Sequence, residues 1–172
     1  GPGNIYVEAA KKLIAGETGI DFIAGPTEIV IIAAEGKSEW IAADMLAQAE
    51  HDVDASAILL TTSRDLANAV AEDLERQLAS LTTAHVARPS IESNGAIVVF
   101  DSLDRAVEFS NGLAPEHLAL HDPSLLGSVQ NAGSVFLGPF SPEAAGDYAS
   151  GPNHVLPTSG QARLPGGVSA AG

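Results

Sequence analysis

Apolar and polar residues alternate along the chain in two distinct rhythms. In "DLANAVAEDLERQLASL" (Asp65 to Leu81), Leu66, Val70, Leu74 and Leu78 recur every four positions, which predicts an amphipathic helix. "SEWIAADMLAQAE" predicts a second helix over 39–50, capped by Ser38. "NIYVEAAKKLIAG" (Asn4 to Gly16) predicts a third, from an Asn cap to a Gly stop. "SLDRAVEFSNGL" predicts a fourth, capped by Ser102, and "DPSLLGSVQNAG" a helical turn or two ending at Gly133. The other rhythm is the short continuous apolar run. "IDFIA", "EIVIIAA", "SAILLTTS", "GAIVVF", "HLALHD" and "SVFLG" read as strands, several of them buried on both faces. The stretch containing Pro89 reads as a loop, and the chain from Pro139 onward as loop-like.

Strands that alternate with helices imply βαβ units joined by right-handed crossovers. The expected fold is α/β: an incomplete Rossmann-like, mostly parallel sheet with helices on both faces. The expected organisation is a tail of a preceding Rossmann-like domain over 1–16, a Rossmann-like α/β domain over 17–140, and an active-site loop segment over 141–172. Open parallel sheets bind ligands at the carboxyl ends of their strands, so the site is expected there.

Composition narrows the function classes. With 172 residues and 45% of them apolar, the chain can bury a substantial core. Its net charge of −14 argues against a nucleic-acid partner, because nothing could neutralise a row of phosphates. There is no cysteine, so any metal must take nitrogen and oxygen ligands. The longest apolar run is too short to span a bilayer and no signal peptide is visible, so a cytoplasmic protein with no membrane partner is expected. The chain begins and ends mid-pattern, as a piece of a longer protein would.

Three constellations could carry chemistry. Gln48 and His51 stand three residues apart on a predicted helix, where side chains become neighbours; their oxygen and nitrogen are donors that zinc accepts, though such a pair more often faces solvent. "APEHL" sets Glu116 beside His117, a natural acid–base pair; a charged rim is the competing reading. There Pro115 is expected to hold Ala114 extended. "SPEAAGDYASGPNHVLPT" gathers Asp147, Tyr148, Asn153 and His154 in a glycine-punctuated loop, with Asp147 a plausible third metal ligand. His85 and His121 carry weaker signals. His121 alternates with His117 and could share its sheet face, but reads better as a strand-end surface residue. No glycine-rich dinucleotide or phosphate-loop fingerprint occurs.

Taken in order, "GPGNIYV", "IDFIAGPTE", "AADMLAQAEHD", "APEHL", "NAGSVFLG", "SPEAAGDYASGPNHVLPT" and the closing "GGVS" resemble histidinol dehydrogenase along essentially the whole chain. The resemblance implies oxidation of L-histidinol to L-histidine through the aldehyde, with NAD and one zinc per site, in a homodimer. It implies Gln48, His51 and Asp147 as zinc ligands and Glu116 and His117 as the catalytic pair. It further implies Asn4 as an NAD contact, and Thr27, Gln48, His51, His117, Asp147 and His154 as substrate contacts. Thr27 stands where Ser is common in that family, and the hydroxyl is kept.

Two departures accompany the resemblance. The family's chain is much longer, with most NAD contacts in an amino-terminal half that this sequence lacks. A fourth zinc ligand, a histidine in the family's carboxy-terminal region, is missing too. Two alternatives therefore stand beside the main expectation: a homologous zinc- and NAD-dependent dehydrogenase of another polar alcohol, or a metal-binding or assembly fragment without turnover.

Overall fold

The computed structural model describes residues 26–139 and residue 141. Five strands form one sheet: β1 (Glu28–Ile32), β2 (Ser56–Thr61), β3 (Ala96–Val99), β4 (His117–Leu120) and β5 (Ser134–Leu137). Their spatial order is β3-β2-β1-β4-β5, and every neighbouring pair is parallel. This is five-sixths of the doubly wound order, with the reversal of direction falling between β1 and β4. The incomplete Rossmann-like α/β architecture expected from the sequence is what the chain adopts. The expected helix over Asn4 to Gly16 and the strand "IDFIA" lie outside the described residues.

The period-2 geometry of β1 divides the core. Ile29 and Ile31 point to one face, where they meet Ile41, Met45 and Leu46 of α1 (Ser38–Ala49) and Val70 and Leu74 of α2 (Arg64–Leu78). Val30 and Ile32 point to the other, against Ala106 and Val107 of α4 (Leu103–Leu113) and Leu125 of a 3₁₀ turn (Pro123–Ser128). Both faces of the central strands are thus dry, which is why their sequences are continuously apolar rather than alternating.

Two local expectations fail for identifiable reasons. Ser38 does not cap α1; the cap position is Lys37 and has no side-chain cap bond. The Ser38 hydroxyl instead bonds Asp73 of α2, which together with Arg76 holds that carboxyl below its usual range. The stretch around Pro89 is a helix, α3 (Ala84–Asn94), not a loop. A proline inside a helix costs about 3 kcal/mol, and here tertiary anchoring offsets it. Ala87 is fully buried, Ser90 Oγ donates to the Ala55 carbonyl at 2.9 Å, and Arg88 reaches Glu75 at 3.2 Å.

The cap read at Ser102 holds: its Oγ accepts the Arg105 amide at 3.3 Å at the start of α4. The structure adds a cap at Asp122, which accepts the Ser124 amide at 2.9 Å before the 3₁₀ turn.

Candidate active site at the amino ends of β1 and β4

The site residues that the structure describes do not gather at the carboxyl ends of the strands. Register places them at the opposite edge. His117 is the first residue of β4 and pairs with Ile29, the second of β1. Glu28 pairs with Ser56, whose amide donates to the Thr27 carbonyl at 3.0 Å, so Thr27 stands where β1 begins. Helix α1 runs back against the strands and ends at Ala49, which brings Gln48 to that same edge. The expectation of a carboxyl-end site fails because each of these residues precedes or opens its strand, or ends the helix that feeds one.

Glu116 and His117 are both buried, at 6% and 4% exposure, so the charged-rim reading of "APEHL" is excluded. Glu116 Oε2 lies 3.8 Å from His117 Nδ1, within ion-pair range, and accepts the Glu28 amide at 3.2 Å. The His117 ring packs against Phe136 of β5, with centroids 5.8 Å apart and planes tilted by 48°. One wall of the imidazole is therefore aromatic, while a carboxylate stands near Nδ1.

The backbone that delivers this pair is unusual. Ala114 adopts φ 53° and ψ 62°, the left-handed region, where the sequence suggests extended backbone. The reason is the stop of α4. Ala114 donates its amide to the Ser110 carbonyl at 2.9 Å, closing the helix with a left-handed cap. That turn lets the chain leave α4 and enter β4 within three residues. A left-handed alanine costs about 1–2 kcal/mol, and its methyl is fully buried.

Gln48 is completely buried, whereas His51 is exposed and lies past the end of α1, with its amide bonded to the Gln48 carbonyl at 3.3 Å. The two remain one turn apart, but the helix stops between them. Among the described residues no group of three or more His, Asp or Glu could hold a metal ion. Asn4, Asp147 and His154 lie outside the described residues, so their expected roles rest on the sequence alone.

The carboxyl ends of β1 and β4 border a cleft of about 570 Å³, lined by Glu35, Gly36, His121 and Asp122 among others. His121 thus sits at the far end of β4 from His117, on the order of 13 Å away at about 3.3 Å per residue. Burial pushes the His121 pKa down, partly countered by its Nδ1 contact with the Glu35 carbonyl at 3.4 Å. His85 is exposed on α3. Neither histidine joins the site at the amino edge.

A sequence model of the family "Histidinol dehydrogenase" matches residues 1–172, the whole chain. This chain belongs to the histidinol dehydrogenase family. Histidinol dehydrogenases of Bacillus cereus (strain ATCC 10987) and Geobacter sulfurreducens are 55% and 56% identical to it over 168 residues, 95% of the chain. The chain spans only 39% of the length of each. The crystal structure of histidinol dehydrogenase from Elizabethkingia anophelis superposes with a TM-score of 0.89 at 45% identity, covering 98% of this chain and 40% of that one. The parallel sheet is therefore that of a histidinol dehydrogenase.

Sequence reasoning missed one feature of the site, the Glu28 amide as a partner of Glu116, a backbone contact that no side-chain motif encodes. Away from that pair, burial raises the pKa of Asp44, a half-buried carboxylate on α1, to about 6.

Proposed function

We propose that this chain supplies the acid–base pair and part of the metal grip of an NAD- and zinc-dependent oxidation of L-histidinol, through histidinal, to L-histidine. The observation that carries the reading is the buried Glu116–His117 pair at the head of β4, tied to β1 through the Glu28 amide.

His117 takes the hydroxyl proton as hydride leaves the substrate carbon. An imidazole suits this task because its unperturbed pKa, about 6.5, lies near neutrality. Once His117 has released that proton to solvent, Glu116 assists the attack of water on the aldehyde and His117 accepts the second proton. Four electrons leave as two hydrides, for which two NAD molecules per histidinol would be the acceptors. The low exposure of both residues limits competing water.

Zinc fits the donor chemistry at the end of α1, since a buried Gln48 amide and the His51 imidazole are neutral oxygen and nitrogen ligands. Asp147 would add a charged oxygen. When bound, zinc supplies an anchor for the substrate's imidazole and amino nitrogens. Asn4 would contact NAD, Thr27 and His154 would line the substrate, and a homodimer would complete the site.

The test is product analysis on an enzyme that includes this chain. Histidine should appear with two NADH per histidinol, and His117→Asn should slow the formation of both by about 10²–10⁴. Turnover of another polar alcohol in preference to histidinol would overturn the substrate assignment, leaving the family intact.

A further inference from the structure

Alternate residues of a strand share a sheet face, so His117 and Ala119 of β4 point the same way. Register sets Ser134 of β5 beside His117 and Phe136 beside Ala119. Phe136 is therefore the diagonal neighbour of His117 on one face. Ser134, directly opposite, is small and leaves the imidazole room to reach across. The two ring centroids stand 5.8 Å apart with planes tilted by 48°. That falls in the range of about 4.5–7 Å, and in the inclined geometry, at which flat rings attract. Phe136 is itself placed by packing: it is partly buried against the cluster that contains Ile29, Met45 and Ala119.

We propose that Phe136 is a positioning residue: its ring sets the plane of the His117 imidazole and so aims Nε2, the nitrogen remote from Glu116, at the substrate's hydroxyl proton. Glu116 Oε2 lies 3.8 Å from His117 Nδ1, beyond hydrogen-bond length. At that distance the carboxylate attracts one edge of the ring without fixing its plane. A ring packed at the side supplies the missing constraint. Proton transfer needs the base within hydrogen-bond reach of the proton, so a rocking imidazole would spend less time competent.

The inference rests on the reading of His117 as the base, and the experiment separates the two. The single-turnover rate of NADH formation from histidinol is measured on an enzyme that includes this chain, so that product release cannot mask the chemical step. The variants are Phe136→Leu, Phe136→Tyr, His117→Asn and the double variant His117→Asn with Phe136→Leu, with circular dichroism as a check on folding. Phe136→Leu fills much of the same space without a flat ring. It is expected to slow the step by about tenfold or more, since a misplacement of about 1 Å can cost roughly 100-fold. Phe136→Tyr keeps the ring and is expected to recover most of that loss. Once His117 is replaced, Phe136→Leu should cost less than about twofold further, because residues that act as a unit are not additive. If His117→Asn leaves the rate unchanged, the reading of His117 as base fails. If His117→Asn slows the step but Phe136→Leu does not, the positioning role alone fails. An equal loss from Phe136→Leu in both backgrounds also overturns it, as the ring would then act through the fold rather than through His117. So does a Phe136→Tyr variant as slow as Phe136→Leu. Should Phe136→Leu not fold, Phe136→Met, whose flexible chain adapts to the space, replaces it in both backgrounds with the same outcomes.

Discussion

The backbone amide of Glu28 donates to Glu116 Oε2 at 3.2 Å, joining residues 88 positions apart at the heads of two adjacent strands. A hydrogen bond to a charged group contributes about 1.5–3 kcal/mol. Glu116→Gln retains an acceptor oxygen and should cost less than about 1 kcal/mol. Glu116→Ala leaves the amide facing a void and should cost about 2 kcal/mol. Denaturant titration of both variants checks the order; equal stabilities would show that the bond contributes nothing.

Under the proposed roles, the same pair would divide the chemistry of an enzyme containing this chain. His117→Asn should slow both half-reactions, by about 10²–10⁴ if general-base help is lost. Glu116→Gln should slow aldehyde oxidation more than alcohol oxidation. Rates measured separately with histidinol and with histidinal decide the matter. If Glu116→Gln slowed only the alcohol step, the roles would be exchanged.

Zinc should bind this chain weakly on its own. Complete structural zinc sites gain on the order of 10–16 kcal/mol, but here the expected protein ligands are Gln48, His51 and Asp147, with no thiolate. Water would fill the rest. Nanomolar affinity in a chelator competition would contradict this count of ligands.

At Ala114 the left-handed backbone makes a sharp prediction. Ala114→Val adds a β-branch where even a methyl is strained, and should destabilise by more than about 2 kcal/mol. Ala114→Gly relieves the strain but removes a buried methyl and loosens the unfolded chain, effects of about 1 kcal/mol each that oppose one another. Thermal denaturation should therefore find Gly near neutral and Val severe.

His121 should make stability depend on pH. Its folded pKa is depressed by burial, below the ordinary value of 6.5. The unfolded chain then binds a proton more readily than the folded one just below neutrality. Stability should fall as pH drops from about 7 through the folded pKa, where the loss levels off. The drop should vanish in His121→Gln, measured by denaturant midpoint against pH. An unchanged slope in that variant would assign the effect elsewhere.

Periodicity made the sheet legible in the sequence, because a strand dry on both faces must be continuously apolar and a two-residue change of face cannot be hidden. Helix α4 declared its start through Ser102, whose hydroxyl accepts the Arg105 amide; the matching cap of α2, Ser63 on the Leu66 amide, emerges only from the structure. Helix α3 was illegible because Pro89 argues against a helix locally, and the anchors that override it, Ala55 and Glu75, lie far off in sequence. Adjacency in "APEHL" marked Glu116 and His117 as a candidate acid–base pair. Their burial and their place at the amino edge were not, since both follow from strand order, which adjacency does not encode.

Strand order also fixes when the site can exist. β1 pairs with β2 only a few tens of residues downstream, but its other neighbour, β4, begins at residue 117. Pairings between distant segments carry a larger closure entropy and tend to form late. A chain emerging from the ribosome can lay down β1, β2 and β3 with their helices while the other edge of β1 stays open. Glu116 and His117 then arrive together, as the last central strand slides into that gap. Burial of the Glu116–His117 pair is thus tied to the docking of β4 on β1, and Phe136 of β5 covers the imidazole only once its own strand has joined.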